Sequence, residues 1–276
     1  MIASIGTFAA IVLAWNAGPA PMPAQAASTP AVSAPATLAP SPAVRTVTAA
    51  PKATPKASPT PSTPYAALSW REVGPAAAGG RVAAVAGSGT DPDLYYFGAA
   101  GGGVWKSVNG GQTWTSVFDD QDTQSIGAVT IAPSDDKTVW VGSGEANPRN
   151  DVILGTGIFK STDAGQSWKK MGLTSVQSIS SIVVDPSDVD HVIAGGLGDL
   201  FKDSPAGGVY VTYDGGKSWT HSLYVGPASG ASDIAIDPKN ANVVYAGIWQ
   251  FRRQPWTASS GGADDGLYKS NDGGKT

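Results

Sequence analysis

The chain has no cysteine, only two histidines, no acidic residue before Tyr65, and no apolar run long enough to cross a bilayer comfortably. Without cysteine there is no disulfide staple, no thiolate nucleophile and no Cys-ligated zinc, so stability must come from packing. His191 lies in a short Asp/Pro turn and His221 just after a Gly-rich turn. Neither has a metal-ligand companion; both are expected at the surface, and no metal or cofactor is expected. A G-x-S-x-G elbow and a phosphate-binding glycine loop are also missing. Three of the 18 basic residues precede Tyr65, leaving 15 against 22 acidic ones in the remainder. That balance does not draw nucleic acid or an anionic membrane. No stretch sustains a 3.6-residue apolar period, which argues against helices.

What is present begins with an address. Ile2 to Trp15 is apolar, and Ala24-Gln25-Ala26 has the small-x-small pattern of a signal-peptidase site, so 1–26 reads as a signal peptide cleaved after Ala26. The basic n-region usual in such leaders is missing from "MIAS", which points to a start upstream of Met1. Residues 27–64 are nearly all Ala, Pro, Ser, Thr and Val, too poor in large apolar side chains to offset ordering entropy, and read as a disordered linker. Together they predict a secreted, periplasmic or cell-surface protein that meets membranes only through export or tethering. Residues 65–276 form the folded part.

Two phrases repeat through that part. "KSVNGGQTW", "KSTDAGQSW", "VTYDGGKSW" and "YKSNDGGKT" align on Ser107, Ser161, Thr212 and Ser270, at spacings of 54, 51 and 58. In step with them run "DPDLYYFGAA", "PSDDKTVWVGSG", "DPSDVDHVIAGG" and "DPKNANVVYAGI", whose prolines are Pro92, Pro133, Pro186 and Pro238. Each period holds four short strand-like segments separated by turn residues; in the second these are "SIGAVTIA", "TVWVGSG", "GIFKSTD" and "SWKKM". Repeats of about 50 residues with four strands predict an all-β fold, a β-propeller of antiparallel blades. About four blades are present. The tail stops where a fourth tryptophan is due, which reads as truncation of a propeller of six to eight blades; the alternative is that "LSWREVGP" closes a four-bladed ring.

The phrase S/T-x-D-x-G-x-S/T-W resembles the Asp-box, or BNR, repeat of sialidases, xyloglucan-cleaving glycoside hydrolases, sortilin ectodomains and photosystem II assembly factors. The chain is most similar to bacterial secreted sortilin-like and xyloglucanase-like propellers. The matching residues are Ser161, Asp163, Gly165 and Trp168, then Thr212, Asp214, Gly216 and Trp219, then Ser270, Asp272 and Gly274. The first copy, Ser107, Asn109, Gly111 and Trp114, departs at its acidic position. A short carboxylate or amide there accepts backbone N–H groups of its own turn, glycine permits positive φ, and the tryptophan is expected to cover its hairpin. These residues are structural.

Function is sought on the opposite face, where the loops between second and third strands are expected at Ala99–Gly102, Ser143–Thr156, Leu197–Gly207 and Trp249–Asp265. They carry Glu145, Arg149, Asn150, Asp199, Trp249 and Arg252, with Lys202, Asp151, Arg253 and Trp256 beside them, and Arg81 precedes the first inner strand. Arginine forks and aromatic platforms suit a carbohydrate or a peptide carboxylate. Alternatively, Arg81 and Glu145 pair as a structural bridge. The resemblance implies that a xyloglucanase would carry one catalytic aspartate in a "TDVGGxYRW"-like segment of the first blade; here "AAGGGVWKS" puts Ala100 at that place. The sialidase Arg-Ile-Pro motif is also absent. Glu145 is the one weak catalytic candidate. The main expectation is therefore a glycan- or peptide-binding propeller, not an enzyme in this portion. The alternatives are a glycoside hydrolase completed by further blades and a scaffold that docks another protein.

Overall fold

A computed structural model describes residues 80–276, and these are entirely strands, turns and bends. The leader, the linker and "LSWREVGP" lie outside the described residues. Four antiparallel four-stranded sheets follow one another along the chain. Blade I comprises β1 (Val82–Gly87), β2 (Leu94–Ala99), β3 (Val104–Val108) and β4 (Thr115–Ser116). Blade II comprises β5 (Ile126–Ala132), β6 (Asp135–Ser143), β7 (Ile158–Ser161) and β8 (Lys169–Lys170). Blade III comprises β9 (Ile179–Asp185), β10 (Asp188–Gly196), β11 (Gly208–Thr212) and β12 (Thr220–Leu223). Blade IV comprises β13 (Ser229–Asp237), β14 (Asn240–Gln254), β15 (Thr257–Ser260) and β16 (Gly266–Ser270). The four segments expected in the second repeat coincide with β5 to β8.

The core lies between blades. One apolar cluster, with Tyr96, Phe118, Ile126, Val139 and Phe159, joins blades I and II. A second, with Trp140, Ile158, Ile179, Val192 and Tyr210, joins II and III. A third, with Ile193, Val211, Ile234, Val244 and Ile248, joins III and IV. Central strands are thus covered on both faces, which is why the β10 run "HVIAGG" is buried throughout instead of alternating. Close approach has a sequence mark. Gly98 and Gly142 hold equivalent places in β2 and β6, and a Cβ at either would overlap the isoleucine, Ile126 or Ile179, of the next blade's first strand.

The Asp-box turns lie on the lower face with one geometry, joining third to fourth strands in blades I to III and following β16 in blade IV. In blade II the Ser161 hydroxyl donates to Asp163 Oδ1 at 2.8 Å and accepts from Gly165 N–H at 2.8 Å, while Asp163 accepts from Ser167 N–H at 2.9 Å. Blades III and IV repeat this through Thr212 and Asp214, then Ser270 and Asp272. In blade I Asn109 accepts from Ser107 and from Thr113 N–H at 2.9 and 3.0 Å, so the amide substitutes for the carboxylate. Each turn needs two successive left-handed residues, at φ 58° and 84° for Ala164 and Gly165 and 75° and 85° for Gly273 and Gly274.

The tryptophans do not simply cover their own hairpins, as expected from sequence; two of them reach across to the preceding blade. Trp168 donates its indole N–H to the Val117 carbonyl at 2.7 Å and sets its ring edge-on to Phe118. Trp219 does the same with the Met171 carbonyl at 2.7 Å and with Trp140. A carbonyl of the turn is gripped in return. Ala164 O accepts from Tyr96 Oη and Lys106 Nζ, each at 2.9 Å, and Gly273 O accepts from Tyr213 Oη at 2.8 Å. His191 also faces Gly273 O, through Nε2 at 2.9 Å, with Nδ1 2.9 Å from Asp185 Oδ2 and its ring stacked on Tyr213. It is buried, not at the surface as expected, because its partner is a turn 82 residues away. His221 is exposed.

Candidate functional site

The connections between second and third strands stand on the upper face. In blade I this is a tight turn, 100–103, and in blade II the long loop 144–157. Ser125 and Ser143 shape the long loop from beneath: Ser125 Oγ donates to Ile153 O at 2.7 Å and accepts from Glu145 N–H at 3.0 Å, and Ser143 Oγ donates to Gly157 O at 2.6 Å. Gly144, at φ 86°, passes so close to the Gln177 carbonyl that no Cβ fits. Glu145 is thereby turned inward, fully buried.

Its partner is Arg81. Arg81 Nη2 donates to Glu145 Oε2 at 3.0 Å, and Nη1 meets Oε1, a fork on both carboxylate oxygens that joins blade I to blade II. A buried charge is tolerable only when paired in this way. The series continues outward: Asp151 Oδ1 lies 3.9 Å from Arg81 Nη2 and 3.4 Å from Arg149 Nε. Arg149 and Asp151 are well exposed, so the charges run from a closed interior pair to an open exterior one. Beside them is a cleft of about 400 Å³ lined by Arg81, Asp151 and Ile153 on one side and the Ala99–Gly102 backbone on the other. Ala100, at the place the resemblance gives to a catalytic aspartate, is among the lining residues.

The remaining predicted residues form a second group. Where the sequence suggested one open loop over Trp249–Asp265, β14 runs on past its own sheet and returns as β15, pairing Phe251 with Ser260 and Gln254 with Thr257 around a Pro255-Trp256 turn. Arg252 fastens this arm to the loop of blade III. Its guanidinium donates to the carbonyls of Ala228, Phe251 and Pro227 at 3.1, 2.9 and 2.6 Å and to Asp203 Oδ1 at 2.8 Å. Arg252 is thus a clamp whose side chain is only 15% exposed. Asp199 caps its own turn, accepting from Phe201 N–H at 2.9 Å, with Lys202 Nζ 3.8 Å away. Trp249 is half-buried, donating to Ser260 Oγ at 3.0 Å and tilted against Phe251. Trp256, at the arm tip, is 80% exposed.

One contact links the groups: Arg253 Nε donates to Asn150 Oδ1, between Arg149 and Asp151 in the chain. The arm of blade IV therefore spans blade III to reach the loop of blade II. Sequence reasoning did not single out Asp122, in the connection from blade I to blade II. Its carboxylate holds Lys170 Nζ at 2.5 Å and the Thr156 hydroxyl at 2.9 Å, and the Lys170 bond, foremost, holds its pKa below the usual range. Its signal was position, since such connections share the upper face. Among the described residues no three His or acidic side chains converge as metal ligands.

The family model for Sortilin-Vps10 (sortilin, neurotensin receptor 3) matches residues 102–226. An oligoxyloglucan-reducing end-specific xyloglucanase of Emericella nidulans is 27% identical over 219 residues, which is 67% of this chain and 25% of that protein. A xyloglucanase of a Paenibacillus species is 26% identical over 238 residues, 78% of this chain and 22% of its own length. Among solved structures, an ancestral GH74 enzyme superposes with a TM-score of 0.57 at 25% identity, covering 75% of this chain and 25% of that one. The chain thus spans about a quarter of the length of these relatives. In sequence and architecture it resembles sortilin-like and xyloglucanase-like β-propellers, and its curated relatives are glycoside hydrolases.

Proposed function

We propose that this chain is part of an exported, glycoside hydrolase-like propeller that engages a β-glucan of the xyloglucan kind across its upper face. The observation that carries this reading is the likeness, over two thirds or more of the chain, to proteins named for action on xyloglucan. The site chemistry is compatible with it. The cleft beside Asp151 offers an exposed carboxylate to sugar hydroxyls, Arg149 next to Asp151 offers an exposed guanidinium, and Trp256 offers a flat face for stacking.

Glycosidic cleavage needs two carboxyl groups flanking the bond, one to protonate the leaving oxygen and one to act on the opposite side of the ring. Glu145 is unsuited to either task here, since it is fully buried with both oxygens against Arg81; it serves to position that arginine. Asp151 is the exposed carboxylate in the cleft. The lack of a carboxylate at Ala100 favours a second reading for these blades, in which they grip a glycan without cleaving it.

The test is incubation of the whole gene product with xyloglucan and a panel of other β-glucans, measuring retention and released reducing ends. Retention with release that falls at least tenfold in Asp151→Asn supports hydrolysis. Retention without release supports the second reading. Neither retention nor release would overturn both.

A further inference from the structure

Asn109 holds the acidic position of the first Asp-box turn, and in this chain it is the single asparagine followed by glycine. That pairing has a chemistry of its own. A glycine nitrogen, with no Cβ beside it, can approach the side-chain carbon of the preceding asparagine, so Asn-Gly is the dipeptide most open to loss of ammonia.

The surroundings supply both access and a brake. Asn109 is half-buried and Gly110 exposed, so water reaches the pair. In the closed turn, however, both reacting groups are engaged. Asn109 Oδ1 accepts from the Ser107 hydroxyl at 2.9 Å and from Thr113 N–H at 3.0 Å, and Nδ2 donates to Thr113 Oγ1 at 2.9 Å. Gly110 N–H donates to the Asp93 carbonyl at 3.1 Å. Reaction therefore waits on local opening of the turn.

The product has a place ready for it. In blades II, III and IV a carboxylate occupies this position, and its second oxygen accepts from the hydroxyl of Ser167, Ser218 or Thr276 at 2.5, 2.6 and 2.5 Å. Nδ2 of Asn109 cannot accept in that way. An aspartate at 109 would take the Thr113 hydroxyl as donor and complete the pattern with a charge-assisted bond.

We propose that Asn109 is a self-modification site: in the folded protein it deamidates through Gly110, and the aspartate so formed completes the first Asp box. Gly110 N gives up its proton and bonds to Asn109 Cγ; the Cγ–Nδ2 bond breaks, and ammonia leaves with that proton. Water then opens the cyclic imide. Cleavage of the new Cγ–N bond yields aspartate. Cleavage between Gly110 N and the Asn109 backbone carbonyl carbon instead leaves an iso-aspartyl link, whose extra main-chain methylene does not fit the turn. The lower face thereby gains a negative charge with age, and nothing in this depends on glycan binding above.

The experiment holds the folded 276-residue chain at mildly alkaline pH and follows the amide-to-acid mass gain by peptide mapping, resolving aspartyl from iso-aspartyl products. Gly110→Ala is run beside it, both folded and in urea. Blade II carries Ala164 at the equivalent place, at φ 58° against 65° for Gly110, and a Cβ on Gly110 would meet nothing closer than 3.4 Å, so this variant keeps the turn. Conversion is expected at Asn109 while Asn147 and Asn150 stay unchanged, slowed at least tenfold by Gly110→Ala in both conditions, with aspartate among the products. Asn109→Asp should keep the Gly111 and Thr113 amides as slow to exchange as in the unmodified chain. No conversion of the folded chain within weeks, an equal rate in Gly110→Ala, iso-aspartyl as the sole product, or lost exchange protection in Asn109→Asp would overturn the proposal.

Discussion

The two faces of these blades are built on opposite plans. On the lower face four turns repeat one hydrogen-bond pattern, down to the pair of left-handed residues. On the upper face no two second-to-third connections match: four residues in blade I, fourteen in blade II, eleven in blade III, and a paired arm in blade IV. The uniform face fastens blades II, III and IV each to the one before it, while the varied face collects unlike charges and an exposed indole. Repetition marks what the fold requires, and variation marks where ligand recognition can be placed.

That contrast can be broken or sharpened by substitution. The largest loss of stability is expected on the upper face, in the ion pair that buries Glu145. Arg81→Ala leaves the Glu145 carboxylate enclosed without a partner, and urea unfolding should show a loss of about 4 kcal/mol. Replacing both residues with apolar ones should recover much of that loss. Trp219→Ala removes an inter-blade hydrogen bond and an edge-on aromatic contact, for a loss of about 3 kcal/mol. A change below 0.5 kcal/mol would refute the stapling role assigned to it. Trp256→Ala, on the exposed arm tip, should leave stability within about 0.5 kcal/mol and weaken only glycan retention.

A finer prediction concerns pH. Hydrogen bonds from Ser167, through hydroxyl and then backbone, and from Ser161 hold Asp163 at about 2 against an ordinary 3.8. Asp214 and Asp272 are lowered by equivalent bonds. A carboxyl depressed in the folded state stabilises it fully above the ordinary range and loses that contribution as pH falls toward the folded value. Stability should therefore decline as pH falls from about 4 to about 2, and changing the three aspartates to asparagine should flatten the decline. Blade I, where Asn109 makes the same turn without titrating, indicates that the fold tolerates the change. An unaltered pH profile in the triple variant would contradict this assignment.

How much of this could be read in advance depended on range. The Asp-box turn was legible because its bonds close within four residues, as from Asp163 to Ser167. The work of Trp168 was not, because its acceptor lies 51 residues earlier in another blade. His191 was misread for the same reason: an Asp/Pro turn suggests a surface, and only the next blade supplies the cover. Arg81 and Glu145 could be placed on one face and paired as one of two readings, a bridge or a ligand grip, and the fork between them decides for the bridge. The arm of blade IV read as a loop because Pro255-Trp256 lacks the usual hairpin-turn residues, and because Arg252 fastens the arm through carbonyls of distant segments.

The most direct test of the division between faces is the affinity of the whole gene product for a xyloglucan oligosaccharide, compared between Arg149→Ala above and Lys217→Ala below. The account predicts at least a tenfold loss for the first and no change for the second; equal affinities, or a loss only in the second, would contradict it.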